Sequence, residues 1–120
     1  MAQILVVDDE LSFRETLHYA LTKRVHSVVT AINSDHAANL MTSQSFDLIV
    51  LDVLMPGEPG TEFLKKIRAS GNHVPVIVYS VSVDAAFEKE MHQSGANEVL
   101  NKSASLQSLA ECVEKVLASV

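Results

Sequence analysis

Residues 4–10 read ILVVDDE, four consecutive apolar residues of strand character followed directly by three carboxylates. Like charges placed side by side repel one another unless a positive group lies among them. A bound cation is one explanation for the acidic triplet. The other is a solvated, acidic start to a helix, which the capping-box spacing of Ser12 and Glu15 supports. Taken alone, the triplet favours the helix start.

Similar apolar runs recur along the chain, and two of them, DLIVL and VPVIVY, are continuous rather than alternating. Continuous runs are typical of strands covered on both faces in a parallel sheet. Between the runs lie stretches with apolar residues at helical spacing, such as Leu106, Leu109 and Val113. The sequence therefore predicts an α/β domain with β-α repeated five times. The strand candidates are 4–7, 26–31, 47–51, 74–79 and 97–101.

Turn residues separate these segments in the same order. Gly71 and Gly95 stand where helices are expected to stop, and Pro75 stands where a strand begins. The segment PGEPG, residues 56–60, predicts a loop after the third strand. We find no interdomain linker or internal repeat, so the interpretation is one domain over residues 1–120.

Composition narrows the classes of function. A chain of 120 residues buries about two-thirds of its unfolded surface in a single core. The net charge is −6 and basic runs are absent, so direct binding of nucleic acid is disfavoured. No apolar stretch reaches membrane-spanning length, and no signal peptide is evident. The one cysteine, Cys112, is expected to be a buried thiol, and a reducing cytoplasm is the economical setting.

The predicted sheet gathers polar residues from four strand ends. In a parallel sheet with right-handed crossovers, the carboxyl ends of the strands share one edge, where such folds bind ligands. Asp8 and Asp9 follow the first strand, Asp52 the third, Ser80 the fourth and Lys102 the fifth. Each could be a cap, a turn residue or a solvated charge, but their joint placement favours a functional site.

The chemistry of this cluster predicts its ligands. Neighbouring carboxylates raise one another's pKa unless a cation neutralises them, and Mg²⁺ suits one or two carboxylates plus waters and phosphate oxygens. One carboxylate could then attack a phosphoryl group while the metal and the lysine neutralise its charge. A zinc site is not expected, because the histidines are scattered and expected at the surface. They are His18, His26, His36, His73 and His92.

The motifs VVDDE, LDVLMPGEPG, VIVYS and VLNKS, in this order and spacing, resemble those of response-regulator receiver domains of two-component systems. The resemblance covers essentially the whole chain and implies a flavodoxin-like (βα)5 fold with strand order 2-1-3-4-5. It implies that Asp52 accepts a phosphoryl group and that Asp9 binds Mg²⁺ directly. Asp8 would act largely through water, and the carbonyl of Leu54 would complete the protein's share. Ser80 and Lys102 would meet the phosphoryl group.

The same resemblance implies partners. The phosphoryl donor would be a histidine on a sensor kinase or a histidine phosphotransfer protein. Phosphorylation would shift the population toward an active form, read by an output domain or protein on the face made by the fourth helix, fifth strand and fifth helix. Homodimerisation on phosphorylation is a further expectation. Such a domain is not a conventional enzyme, although it catalyses its own phosphorylation and slow dephosphorylation.

Several positions depart from the family pattern. Val99 stands where Tyr or Phe is usual, Ser103 follows the lysine where proline is common, and Val81 replaces Ala or Gly. A cis bond before Ser103 would cost about 2.5–4 kcal/mol, so either that bond is trans or the fold bears the strain. Pro59 takes a place often filled by Asp and is expected to stiffen its loop.

Two other classes of function stay open at this point. A receiver-like interaction module without a working switch would explain the departures, but the acidic, hydroxyl and lysine positions are all present. A phosphatase would want an acid at position 54, which is leucine, and a flavin carrier would want a phosphate cradle where the acidic triplet stands.

Overall fold

The computed structural model describes residues 2–55, 57 and 59–119 and confirms five β-α units. The elements are β1 Gln3–Val7, α1 Leu11–Thr22, β2 Ser27–Ala31, α2 Ser34–Ser43, β3 Leu48–Asp52, α3 Gly60–Ala69, β4 Val76–Ser80, α4 Ala85–Ser94, β5 Glu98–Asn101 and α5 Leu106–Ala118. Each strand lies within two residues of its predicted bounds. Within these described stretches, none of the helices is long and apolar enough to cross a membrane.

The strands form one parallel sheet in the predicted order β2-β1-β3-β4-β5. The chain therefore winds in one direction from β1 to β2 and in the other from β3 to β5. The reversal leaves β1 and β3 side by side, and their carboxyl ends meet at the point where such sheets bind ligands. The register places Asp52 beside Tyr79 on β4, and Ser80 beside Asn101 on β5.

Alternating strand residues supply two separate cores, one on each face of the sheet. One core packs beneath α2, α3 and α4 and takes Leu5, Val7, Ile49, Leu51, Val76 and Val78 from the strands. The other packs beneath α1 and α5 and takes Ile4, Val6, Leu48, Val50, Ile77 and Tyr79. Every residue of β3 and β4 is buried, which explains why their sequences are continuous apolar runs.

The predicted capping box at the start of α1 is wrong. The helix begins at Leu11, so Ser12 and Glu15 both lie inside it. The turn between β1 and α1 lies before Ser12, and in it the Asp8 carboxylate accepts the backbone N–H of Glu10 at 2.9 Å. Glu10 occupies the N-cap position, so Ser12 cannot be the cap of this helix.

The segment 56–60 also differs in part from the predicted loop. Gly60 is the first residue of α3, and Pro59 is its N-cap. A Cβ on Gly60 would lie 2.5 Å from the Cα of Val53, so only glycine allows α3 to start this close to the end of β3. Pro56 and Glu58 lie outside the described residues.

Two side chains are placed differently from expectation. His26 is 9% exposed rather than at the surface: its Nδ1 accepts the N–H of Ala2 at 3.1 Å, and its Nε2 lies 2.6 Å from Glu114 Oε1 on α5. The ring ties the start of β1 to α5, and its Nε2 carries the proton that bonds the carboxylate. Cys112 is half-buried and packs against the core beneath α1 and α5.

Candidate functional site

The residues predicted to share the carboxyl edge of the sheet do lie there together. Asp8 and Asp9 follow β1, Asp52 is the last residue of β3, Ser80 is the last residue of β4, and Lys102 follows β5. Parallel pairing of β1, β3, β4 and β5 brings these four strand ends to one edge. Asp8 and Lys102, for example, are 94 positions apart in the sequence but in contact in the fold.

Lys102 is the charge that the three acidic residues surround. Its Nζ lies 3.0 Å from Asp8 Oδ2, 3.0 Å from Asp52 Oδ2 and 3.6 Å from Glu10 Oε1, and its side chain is only 4% exposed. The ammonium also lies over the Phe13 ring, 4.1 Å from the centroid. Burial alone would lower the pKa of Lys102, but the hydrogen bonds and charges of Asp52 and Asp8 raise it by more. The lysine is therefore a fixed cation at neutral pH.

Asp8 is fully buried, and protein donors meet both of its oxygens. Oδ1 accepts the N–H of Glu10, and Oδ2 accepts the ammonium of Lys102 and a short hydrogen bond from the Tyr79 hydroxyl. Burial raises the pKa of Tyr79 far above its ordinary value, and the bond to Asp8 raises it further, so the phenol keeps its proton. The backbone carbonyl of Asp8 accepts from the Arg14 guanidinium at 2.9 Å.

Asp52 is 2% exposed and has two donors of different kinds. Oδ1 accepts the backbone N–H of Leu54 at 2.9 Å, while Oδ2 accepts Lys102 at 3.0 Å. Burial raises the pKa of Asp52, because desolvation outweighs the opposing effects of the Leu54 hydrogen bond and the Lys102 charge, and Asp8 raises it further. A carboxylate of raised pKa is more basic, and therefore a better nucleophile, than an exposed one.

The three aspartates could hold a divalent cation. Asp8, Asp9 and Asp52 each offer an oxygen, and these oxygens all lie within 4.8 Å of one another. Asp8 and Asp52 are buried, whereas Asp9 is exposed and opens the cluster to solvent. A hard ion that keeps several waters fits this set, since hard oxygen ligands from few residues are what Mg²⁺ takes in proteins.

Ser80 ends β4 at the same edge of the sheet as the acidic cluster, and Val81 and Ser82 follow it. The Ser80 side chain is fully buried, and its Oγ lies 3.4 Å from the N–H of Ser82. Val81 is 63% exposed, and Leu54, on the Asp52 side, is 55% exposed. Two apolar side chains close in sequence to Asp52 and Ser80 are therefore largely exposed to solvent.

The positions that depart from the family pattern on and after β5 have clear structural consequences. Val99 is half-buried and packs against the core beneath α2, α3 and α4. The bond between Lys102 and Ser103 is trans, as are the other peptide bonds of the described chain, which settles the alternative that the sequence left open. The Ser103 N–H donates to Asn101 Oδ1 at 2.8 Å, a bond that proline could not make.

Sequence reasoning missed the contributions of Tyr79 and Phe13. Tyr79 holds Asp8, and both rings lie beside the Lys102 ammonium, Tyr79 at 5.1 Å from centroid to Nζ. A signal for Tyr79 was present: strand side chains alternate, so position 79 shares a face with position 52, its neighbour on β3. Because residues 76–79, VIVY, were interpreted as an apolar strand, the contact between the Tyr79 hydroxyl and Asp8 was not predicted.

Most of the chain matches the model of one protein family. The family model described as response regulator receiver domain covers residues 4–114. That range includes β2 to β5, all of β1 except its first residue, and the residues of the acidic and lysine cluster.

Individual relatives agree with the family match. Response regulator MprA of Mycolicibacterium vanbaalenii is 33% identical over 107 residues, which make up 89% of this chain and 46% of that protein. The probable transcriptional regulator ycf27 of Cyanidium caldarium is 32% identical over 114 residues, 95% of this chain and 45% of that protein. The chain thus spans about half the length of these curated relatives. The solved structure of the chemotaxis protein CheY4 of Vibrio cholerae is 28% identical with a TM-score of 0.91, covering 97% of this chain and 98% of its own.

Proposed function

Because the chain belongs to the response regulator receiver family, we propose that it is a phosphorylation-dependent switch whose phosphoryl acceptor is Asp52. The observation that carries the proposal is the pairing of a buried, desolvated Asp52 carboxylate with a buried Lys102 ammonium at 3.0 Å. Receiver domains work with a kinase or phosphotransfer protein and an output. The proposed donor is a phosphohistidine on a sensor kinase or a histidine phosphotransfer protein.

The proposed reaction is a transfer between two nucleophiles. A carboxylate oxygen of Asp52 attacks phosphorus and forms the new P–O bond while the P–N bond to the donor histidine breaks. The leaving imidazole keeps the bonding pair and takes up a proton. Lys102 contributes a fixed positive charge, and the Ser80 hydroxyl would turn toward the transferred oxygens. The Leu54 N–H holds the Asp52 carboxylate in place.

A Mg²⁺ ion is the proposed cofactor. Asp9 and Asp52 would hold it directly, Asp8 would act largely through water, and the Leu54 carbonyl would complete the protein's share. When bound, the ion would neutralise charge on the phosphoryl oxygens. The close approach of three carboxylate oxygens supports a cation in addition to Lys102, because one ammonium leaves the cluster with net negative charge.

The proposed readout is a population shift on the face formed by α4, β5 and α5, which an output domain or protein would bind. Phosphorylation could bring two copies together as a homodimer on this face. Since Val99 replaces the usual aromatic residue there, coupling through an aromatic rotamer is not part of the proposal. Residues 1–120 would form a single receiver domain in the cytoplasm, where the lone thiol of Cys112 stays reduced.

A second candidate is a receiver-like interaction module that binds its partner without being phosphorylated. Val81, Val99 and Ser103 favour it, because all three change positions associated with the switch. It would leave unexplained why the buried charges of Asp8, Asp52 and Lys102 are kept, since buried ion pairs add little to stability over apolar residues.

Phosphorylation separates the two candidates. We expect incubation with Mg²⁺ and acetyl phosphate to add one phosphoryl group, seen as an intact-mass increase that is lost in Asp52→Ala. Asp47→Ala is the matched control: Asp47 immediately precedes the same strand at the opposite edge, where its Oδ2 accepts the N–H of Gln3 at 2.8 Å. The control should be phosphorylated like the wild type.

A phosphoryl group that persists in Asp52→Ala would assign the acceptor elsewhere. If neither acetyl phosphate nor a histidine-phosphorylated partner modifies the wild type, the switch proposal fails and the interaction module is favoured.

A further inference from the structure

Tyr79 lies next to the end of β4, on the face of the sheet that packs beneath α1 and α5. Its side chain is 3% exposed, and its ring meets that of Phe13 edge to face, with centroids 6.4 Å apart. The ring behaves as a core residue. Its hydroxyl does not, because it is directed out of the core and donates to Asp8 Oδ2.

The hydrogen bonds of Asp8 show what this contact changes. Oδ1 accepts from the Glu10 N–H at 2.9 Å, and Oδ2 accepts from Tyr79 and from Lys102 at 3.0 Å. Because the carboxylate is fully buried, these donors replace the water that would solvate it. A cation or its bound water that approaches Oδ2 would have to share that oxygen with two donors already in place.

We propose that Tyr79 is a positioning residue that sets the affinity of the acidic cluster for Mg²⁺ by holding Oδ2 of Asp8. The inference rests on the proposed function, because it assigns this role at the same site. Tyr79 stabilises the metal-free state by donating a hydrogen bond to a buried carboxylate, and the same bond weakens the attraction of Asp8 for a metal-bound water. The metal-free and metal-bound forms are thus brought closer in free energy.

The proposal predicts the direction in which removing the Tyr79 hydroxyl changes metal-free stability and Mg²⁺ affinity. Tyr79→Phe keeps the ring beside Phe13 and Lys102 but leaves Asp8 with one donor fewer among three carboxylates. The metal-free fold becomes less stable, and Mg²⁺, which compensates the same charge, binds more tightly. Hydrogen bonds to charged groups are strong enough that a partial loss changes an equilibrium constant by at least about threefold, so we expect a Kd at least about threefold lower.

The first test compares wild type, Tyr79→Phe and Tyr19→Phe. Tyr19 is the only other tyrosine and is 62% exposed on α1, so Tyr19→Phe controls for loss of a phenol hydroxyl. Calorimetric titration with Mg²⁺ gives each Kd, and melting temperatures are measured from zero to saturating Mg²⁺. We expect Tyr79→Phe to melt below wild type without metal, and the deficit to shrink as Mg²⁺ rises. A purely structural role would leave the deficit constant.

A second readout leaves Tyr79 intact. The chain has two tyrosines and no tryptophan, so in Tyr19→Phe all tyrosine absorption and emission come from Tyr79. Tyrosine emission depends on the acceptor of its hydroxyl proton. We expect the Tyr79 signal to change on Mg²⁺ addition with the same Kd as calorimetry, because the metal competes for Oδ2. This measurement stands even if Tyr79→Phe fails to fold.

The outcomes separate the inference from the proposed function. If wild type binds Mg²⁺ and is phosphorylated on Asp52, then an unchanged or weaker Kd in Tyr79→Phe, or a Tyr79 signal indifferent to Mg²⁺, overturns the inference alone. If wild type neither binds Mg²⁺ nor accepts a phosphoryl group, the proposed function fails and the inference fails with it.

Discussion

Replacing Lys102 by methionine tests how far one cation holds the acidic cluster together. The side chain is 4% exposed, and its Nζ lies 3.0 Å from both Asp8 and Asp52, which are themselves buried. At an effective dielectric constant of about 20, each pair attracts by roughly 5.5 kcal/mol before desolvation is subtracted. Methionine fills a similar volume but leaves two buried carboxylates without their cation. Removing one partner of a buried pair typically costs about 3–5 kcal/mol.

We therefore expect Lys102→Met to lower the free energy of unfolding by about 3–5 kcal/mol in metal-free buffer, measured by urea denaturation. For a chain of this length, that corresponds to a melting temperature lower by about 12–20 °C. Lys115→Met is the matched control, because Lys115 lies 3.5 Å from Glu98 at the surface with its side chain 72% exposed. Such an exposed pair contributes less than about 1 kcal/mol.

The pH dependence of the difference gives a second check. The charges and hydrogen bonds of Asp52 and Asp8 raise the pKa of Lys102 above its ordinary value despite the opposing effect of burial. A group whose pKa is raised in the folded state stabilises fully below its unfolded pKa and loses that effect as pH rises through the folded value. The difference between wild type and Lys102→Met should thus be constant from about pH 7 to 9.

Two results would refute this account of Lys102. One is a loss no larger than that of Lys115→Met, which would mean that the buried contacts do not carry the charge balance. The other is the failure of a compensating change: adding Asp52→Asn to Lys102→Met removes one stranded charge and should recover at least about 1 kcal/mol. An equal or lower stability of the double variant would exclude uncompensated carboxylates as the cause.

Three further outcomes follow from the same structure. Asp9→Ala should bind Mg²⁺ more weakly while raising the metal-free melting temperature, because one of three close carboxylates is removed; equal Mg²⁺ affinity and equal melting would exclude a shared site. The aspartyl phosphate should be long-lived, since Leu54 offers no hydrogen bond to an attacking water, Ser82 is too short to hold one, and Val81 adds bulk. Losing about 1.4 kcal/mol of water positioning slows hydrolysis about tenfold. Leu54→Asn and Val81→Ala should both speed decay in excess Mg²⁺, and no acceleration in either would show that water access is not limiting. Burial, aided by Glu98, raises the pKa of Cys112, so its reaction with a disulfide reagent near pH 8 should be slower in the folded than in the urea-unfolded protein; equal rates would contradict this.

The sequence by itself determined the sheet and the edge at which the site lies. Continuous apolar runs can only be buried on both faces, and the alternation with helical segments makes every strand run the same way. The residue after each run therefore had to reach the same edge. This is why Asp8, Asp52, Ser80 and Lys102 could be named together before any contact was known.

The sequence did not determine which of these charges would be buried or paired. Adjacent aspartates look alike in the sequence, yet Asp8 is fully buried, with its carboxylate bonded to Tyr79, Lys102 and the Glu10 N–H, whereas Asp9 is exposed. Likewise, the sharing of Lys102 between two carboxylates depends on how far β5 lies from β1 across the sheet. A local sequence pattern predicts that a segment is a strand, but it does not give the distance between two strands.

The remaining contacts were decided by tertiary packing alone. His26 bonds Glu114 across 88 positions of sequence, and Tyr79 reaches Asp8 across 71, so no window of neighbouring residues contains either pair. The capping box failed through local geometry instead, because the Asp8 carboxylate accepts the Glu10 N–H two residues away and α1 begins at Leu11, which leaves Ser12 inside the helix. Side-chain hydrogen bonds form over about 3 Å, and only the packed sheet and helices bring such distant groups within that range.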